Sequence, residues 1–534
     1  MTDLTQRAGA LNVSDSGGET TGSQKWMFWA CWAAMIATAF CFVVRAQVMD
    51  TWALQFNLTK TQMGEIFGVG LWPFAISIIL FSLVIDRIGY GTAMAFAFVC
   101  HVASALITIF APKHFSPYWS LYIGNLIAAL ANGTVEAVVN PVVATIFFKQ
   151  KTKWLNMLHA GWPGGLVIGG LLALAMGKIS WEYKIGLLLI PTIAYGIMML
   201  TAKFPISERV AAGVPYREML KEFGFLGALI VSFLIFAEVG RDFGWSPYLS
   251  GALVAVVTIG FGAYVGFAPG RPLFIFMLLI MLPLATTELG TDSWITSLMT
   301  PSMEKIGLPG IMVLIYTSFI MMVLRFSAGS IVHRISPLGL LATAAIIAAI
   351  GLVLLSHANG AIAILAAATV YGLGKTFFWP TMLGVVAEQS PKGGALTLNA
   401  TGGVGMLGVG VVGAVFLGYI QDSSISKDLR RQDPAAYMST VSDKKWVFGE
   451  YKAVDEDKVK ALPTSEQAKI AAIGDEAKKG ALATVAIFPG IMLACYLILI
   501  LYFKSQGGYE AQVLTGHAAV DGEYTGGVPG PAGE

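Results

Sequence analysis

Glu136 stands inside a long apolar run, flanked at intervals of four by Asn132 and Asn140. On a helix that spacing gathers all three on one side, as a polar stripe roughly 12 Å long. A carboxylate near the middle of a membrane span costs about 2.5–3.5 kcal/mol on insertion scales, so it normally faces a bundle interior or a watery cavity. There it can gain or lose a proton as its surroundings change, and the two amides can exchange hydrogen bonds with hydroxyl groups. The stripe therefore reads as the lining of a solute path. The plainer alternative is a structural acid satisfied by a neighbouring hydroxyl or by Lys375.

Other residues invite the same double reading. Lys375 follows Gly372-Leu-Gly374, a superficial likeness to a phosphate loop, but Thr369 occupies the place of the required glycine and no soluble strand precedes it. It is better read as a cavity lysine balancing Glu136, Glu288 or Asp292, with an interfacial lysine as the alternative. Glu288 and Asp292 are four apart and repel on a shared face, so one of them is expected to be protonated or paired with a cation; a solvated pair at a helix end is equally compatible. Asn156, His159 and Trp162, three apart, form a polar and aromatic stripe suited to a sugar ring, although a histidine in helix packing would look the same. Asn399 offers a further amide, Trp379 and Trp72 stand beside prolines as cavity or packing aromatics, and His101 reads as packing more readily than as a proton relay.

These residues need long helices to hold them. Of 534 residues, 56% are hydrophobic and 12% charged, far below the quarter or so of charged residues in soluble domains. The chain is expected to be an all-α polytopic membrane protein. A net charge of +2, with no basic run interleaved with aromatics, speaks against nucleic acid. Cys31, Cys41, Cys100 and Cys495 sit in apolar runs without ligand spacing, so no disulfide, metal or cofactor is expected. The absence of a Gly-x-Ser-x-Gly elbow, a metal cluster or a cysteine-nucleophile setting speaks against an enzyme.

Apolar stretches of spanning length lie at about 26–46, 62–85, 92–111, 118–148, 154–177, 181–201, 223–240, 246–267, 272–299, 309–331, 338–356, 361–387, 394–419 and 481–503. Their even number puts both termini on one side. The short loops on that side carry the larger share of Lys and Arg, including Lys149, Lys151, Lys153, Lys203, Arg209, Arg217, Lys221 and Arg334, so both termini are expected to be cytoplasmic in the inner membrane. The expected organisation is a disordered N-terminus at 1–24, a six-helix bundle at 25–202, a linker with two additional spans at 203–270, a second six-helix bundle at 271–504, and a disordered tail at 505–534. The insert at 421–480 falls outside the membrane, as either a small ordered cap or a flexible loop.

The two bundles repeat one another. Ser82-Leu-Val-Ile-Asp86-Arg87-Ile-Gly89 aligns without a gap with Gly329-Ser-Ile-Val-His333-Arg334-Ile-Ser336. Glu136-Ala-Val-Val-Asn140-Pro141 aligns with Lys375-Thr-Phe-Phe-Trp379-Pro380, and each is followed by Leu-Asn, at Leu155-Asn156 and Leu398-Asn399. This pattern resembles the major facilitator superfamily of secondary transporters, and the Glu-x-x-x-Asn-Pro helix resembles its fucose and glucose/galactose permease type of sugar:proton symporter. That group carries an Asp in its first helix where this chain has Arg45-Ala-Gln47, with Asp50 about a turn further on.

The resemblance implies the major facilitator fold and alternating access around a midplane site. It implies a monomeric carrier of a small polar solute, a sugar first, with protons as the candidate coupling ion and Glu136 as the proton-coupled residue. Asp86, Arg87 and Arg334 read as cytoplasmic gate or tether charges. A fourteen-span drug/proton antiporter, an organic anion transporter read by Lys375 and Arg45, and a non-transporting solute sensor remain alternatives.

Overall fold

The structure, a computed structural model, describes residues 21–292, 295, 303–304, 307–446, 449–512 and 514. Most of the N-terminal and C-terminal stretches expected to be disordered lie outside the described residues. Within them are 14 helices long and apolar enough to cross a membrane. They are α1 Gly22–Phe56, α2 Gln62–Ile88, α3 Tyr90–Lys113, α4 Pro117–Ile146, α5 Phe148–Ala175, α6 Trp181–Thr201, α7 Tyr216–Asp242 and α8 Pro247–Val265. There follow α9 Pro272–Gly290, α10 Met312–Val332, α11 Pro337–His357, α12 Ala361–Gln389, α13 Pro391–Gln432 and α14 Thr464–Ser505. Each coincides with an apolar stretch of the sequence, because in lipid a helix is the one open segment that satisfies its own backbone.

Taking the two bundles expected from the repeat as the halves, α4 packs against α2 and α3 and α1 against α5 and α6 in the first, and α11 packs against α12 and α14 and α9 against α13 in the second. The halves meet where α2 and α4 pack on α13, and where α5 packs on α10 and α12. The additional helices α7 and α8 pair with each other, and α7 packs on α13 and α9 while touching α2.

Small residues set the close approaches. On α5, Gly161, Gly165 and Gly169 lie against Met35, Ala39 and Val43 of α1, while Gly164 and Gly170 lie against Met322 and Ile315 of α10. A glycine face on each side of one helix allows it to serve as an interface to both halves. The repeat is visible in the backbone too. Gly89 and Ser336, aligned in the sequence, both take positive φ, with φ/ψ of 82/150 and 61/160. That region is strained for any residue but glycine. Ser336 compensates by accepting a bond from the Gly339 N–H at 3.2 Å.

The 421–480 insert is an ordered cap. Helix α13 runs on to Gln432, a short helix follows at Pro434–Thr440, strands β1 Val441–Trp446 and β2 Gly449–Val454 pair antiparallel, and a helix at Glu456–Lys460 leads into α14. Leu429, Ile470 and Ile473 form its small core. In the cap the hydrogen bond to Asp422 holds the Lys444 ammonium above its ordinary range. Two boundaries of the sequence reading move. Helix α1 begins at Gly22, capped by Thr21, and the chain beyond Ser505 stays in place through Gln512 because its residues bond to α12.

The α11–α12 contact gives a direct test. A Cβ at Gly374 would run into the Ala348 backbone, whereas nothing lies near Gly490 on the exposed side of α14. Gly374→Ala is expected to lower stability by about 1–3 kcal/mol through overpacking. Gly490→Ala should leave it unchanged or raise it by up to about 1 kcal/mol. Thermal unfolding of the purified variants in detergent reads the difference.

Candidate functional site

The site begins with three prolines inside membrane helices. Proline lacks an N–H, so the carbonyl four residues earlier loses its helical partner. Pro141 frees the Ala137 carbonyl, Pro163 that of His159, and Pro380 that of Thr376. An unsatisfied backbone group costs several kcal/mol in a bilayer. Side chains supply the missing donors. Asn399 donates from Nδ2 to the Ala137 carbonyl at 3.0 Å. Arg325 donates from Nη1 to the His159 carbonyl and from Nε to the Thr376 carbonyl, both at 2.8 Å. Two of these bonds join the halves, from α13 to α4 and from α10 to α5.

Arg325 is fully engaged. Its Nη2 donates to Glu288 Oε1 at 2.8 Å, and the other Glu288 oxygen accepts from the Trp379 N–H at 3.0 Å. Glu288 itself sits in a π-helical turn, Thr286–Gly290, which packs against a second one at Val409–Gly413. Such turns recur at functional sites. Lys375 is ion-paired with Asp292 and lies 5.5 Å from the centre of the Tyr371 ring.

Glu136 differs from both acids. Its Oε2 accepts from Asn140 Nδ2 at 3.3 Å, and Asn140 Oδ1 accepts from His159 Nε2 at 2.9 Å. That chain places the His159 proton on Nε2. No ion pair to Glu136 exists among the described residues, and Glu136 is 5% exposed. Its Oε2 and the Trp379 ring both lie about 4 Å from where a Gly402 side chain would stand. A carboxyl group held by a neutral amide can exchange a proton without breaking an ion pair.

The expected residues divide accordingly. Glu136, Asn140, His159, Asn156, Glu288, Trp379 and Asn399 lie around contacts between the halves, whereas Asp292 and Lys375 pair with each other inside the second. Asn132 is not among them: it accepts from His101 Nε2 at 2.9 Å, while Tyr195 bonds the other ring nitrogen at 3.0 Å. Successive i,i+4 steps turn by about 40°, so over two steps the stripe rotates from the α3–α6 side to the interface. Asn156 binds the Thr152 carbonyl and Thr381 Oγ1, nearer the seam between α5 and α12. Trp162 tilts against Phe42, with centroids 6.0 Å apart. Glu136 and Lys375 are not bonded to each other, since the break in α12 at Thr376–Phe377 leaves Lys375 with Asp292.

Arg325 escaped the sequence reading. A cation in the apolar run 309–331, together with Pro163 and Pro380, was its signal. Asp86 and Arg87 tie α2 to the linker: Arg209 holds Asp86 at 2.6 Å, Ser207 adds 3.1 Å, and Arg87 lies 5.2 Å over Tyr216. Arg334 is exposed. At the same end Lys151 pairs with Glu208 at 2.6 Å and donates to the Ala387 carbonyl at 3.1 Å. A cavity of about 30 Å³ beside them is lined by Glu208 and Ser390, whose Oε1 and Oγ have no partner among the described residues. It has room for a water molecule or two. The four cysteines are free, and no metal-binding group occurs among the described residues.

Comparison with known proteins supplies the family. The Major Facilitator Superfamily pattern matches residues 30–415. The gentisate transporter of Corynebacterium glutamicum is 24% identical over 192 residues, which span 35% of this chain and 42% of that protein. Among solved structures, the proton:xylose symporter XylE of E. coli, bound to 6-bromo-6-deoxy-D-glucose, superposes with a TM-score of 0.59 at 12% identity, covering 89% of this chain and 95% of its own. The E. coli fucose:proton symporter FucP gives 0.51 at 13% identity, covering 86% and 98%. At these identities the structural likeness establishes the fold alone. With the matched pattern spanning most of the bundle, the chain belongs to the Major Facilitator Superfamily of membrane transporters.

Proposed function

We propose that this transporter moves a small polar solute, a sugar or related polyol, by rocking its two halves around the Glu136–Arg325 layer, with Glu136 as the protonatable group. The observation that carries this reading is a buried carboxylate at the interface, beside Trp379, whose hydrogen bond is to a neutral amide. Carboxyl groups and a tryptophan in one layer suit hydroxyl-rich rings. Likeness in fold to the xylose and fucose symporters supports the class. The halves are taken as 25–202 and 271–504, with α7 and α8 between them, and the Asp86 end as cytoplasmic in the inner membrane. Asp86, Arg87 and Arg334 then lie at the cytoplasmic gate of a monomer.

An organic anion is the second reading. Arg45 is 4% exposed, its guanidinium rests on Ser104 and the Cys41 carbonyl, and it has no acidic partner among the described residues. The gentisate transporter stretch points the same way.

Proteoliposomes loaded with and without a pH gradient distinguish these readings, using labelled monosaccharides, polyols and an aromatic carboxylate. Glu136→Gln should abolish gradient-driven accumulation of the accepted solute while sparing counterflow. Loss of both, or of neither, rules out the proton role. Arg325→Lys keeps the charge but not three directed donors. It is expected to cost about 1–3 kcal/mol of stability, since a buried carbonyl is left without its donor. Arg325→Met with Glu288→Leu removes the ion pair as a unit but strips the His159 and Thr376 carbonyls of their donor, so it should not recover that stability in thermal unfolding and should leave uptake abolished.

A further inference from the structure

The end of the bundle that carries Asp86 holds a contact that the midplane site does not use. After a short 3-10 turn, helix Lys151–His159 in α5 begins without a side-chain cap from its own N-terminal residue, Gln150. A helix start leaves N–H groups without partners. Here the donor is satisfied from the other half. Glu388, near the end of α12, accepts from the Thr152 N–H at 3.0 Å and from Thr152 Oγ1 at 2.6 Å, both through Oε1. Gly384 permits the approach, since a Cβ there would collide with Thr152.

The second oxygen of Glu388 is held by the segment after α14. Tyr509 donates from its hydroxyl to Oε2 at 2.7 Å. Gly507 and Gly508, with φ of 97° and 128°, let the chain reverse after the helix. The segment is then fixed along α12 by Gln512 N–H to the Glu388 carbonyl at 2.8 Å and by Gln389 Nε2 to the Glu510 carbonyl at 2.7 Å. Arg271 adds a bond to Gln512 at 3.1 Å, and the Phe503 ring packs edge-on against Tyr509 at 5.0 Å. Burial, and then the Glu388 charge, hold the Tyr509 hydroxyl well above the ordinary tyrosine range, so it remains a donor.

We propose that residues 507–512 are a latch strap, which orients Glu388 to cap α5 across the interface and so sets how readily the Asp86 end opens. The strap belongs entirely to the second half. It therefore moves with α12 when the halves part, and the bonds broken are those to Thr152, with Lys151 to Ala387 beside them. Without Tyr509 the carboxylate loses one of the donors that fix its rotamer, and the cap on α5 loosens. The inference rests on the alternating-access reading above, but its test needs neither substrate nor uptake, so the two can fail separately.

The test uses the full chain with its four native cysteines replaced by alanine or serine and one reporter, Ala395→Cys, at a buried position lining the seam cavity. N-ethylmaleimide labelling of purified protein is followed by mass spectrometry. Tyr509→Phe and Glu388→Gln are each expected to accelerate labelling about five- to tenfold. Tyr502→Phe, altering an exposed tyrosine of α14, should leave the rate unchanged. A second reporter, Ala348→Cys, buried between α11 and α12, separates opening of the seam from general loosening. Unchanged labelling at the seam in both Tyr509→Phe and Glu388→Gln overturns the proposal, as does equal acceleration at both reporters.

Discussion

The structure depends on satisfying backbone carbonyls that prolines release inside a membrane. In water a freed carbonyl binds solvent; in lipid it needs a donor from the protein. Pro141, Pro163 and Pro380 each release one, and Asn399 and Arg325 supply the donors. The bends and the contact between halves therefore have a common origin. The repeat makes the asymmetry plain. Ala137 and Thr376 are equivalent carbonyls, yet the first is met by an amide from the opposite half and the second by a guanidinium from its own.

That choice distributes charge unequally between the halves. Arg325 neutralises Glu288, and Lys375 neutralises Asp292. Glu136, aligned with Lys375, is left to the Asn140–His159 chain. An ion pair resists a change of protonation because its loss strands the partner charge. A carboxyl bonded to an amide has no such constraint. The asymmetry between the halves thus concentrates the adaptable charge in the first of them.

Packing distributes rigidity in a similar way. Helix α5 offers glycines to α1 on one side and to α10 on the other, so that side chains of both neighbours seat directly against its backbone. Near the Asp86 end the contacts turn polar and directional, through Lys151, Thr152 and Glu388. Helix α7 joins the second half to the first by packing on α13 while touching α2, and Arg241 donates to the Gly410 carbonyl in the π turn at 3.2 Å. The additional helices are thus anchored to the irregular part of α13.

Local sequence determined the spans, the prolines, the repeat and the presence of Glu136 in a helix, because hydrophobic run length and the missing proline N–H act over a few residues. It also marked Lys375, Glu288 and Asp292 as costly in an apolar setting. It left open whether 421–480 was ordered, since that depends on Leu429 meeting Ile470 and Ile473 across the insert. It could not say that Asn132 would turn to His101 while Glu136 turned to the interface, nor that Arg325 would reach two freed carbonyls. Those pairings join residues far apart in the chain, as Asn399 and Ala137 are. They follow from helix rotation and the meeting of the halves, which only the tertiary structure decides.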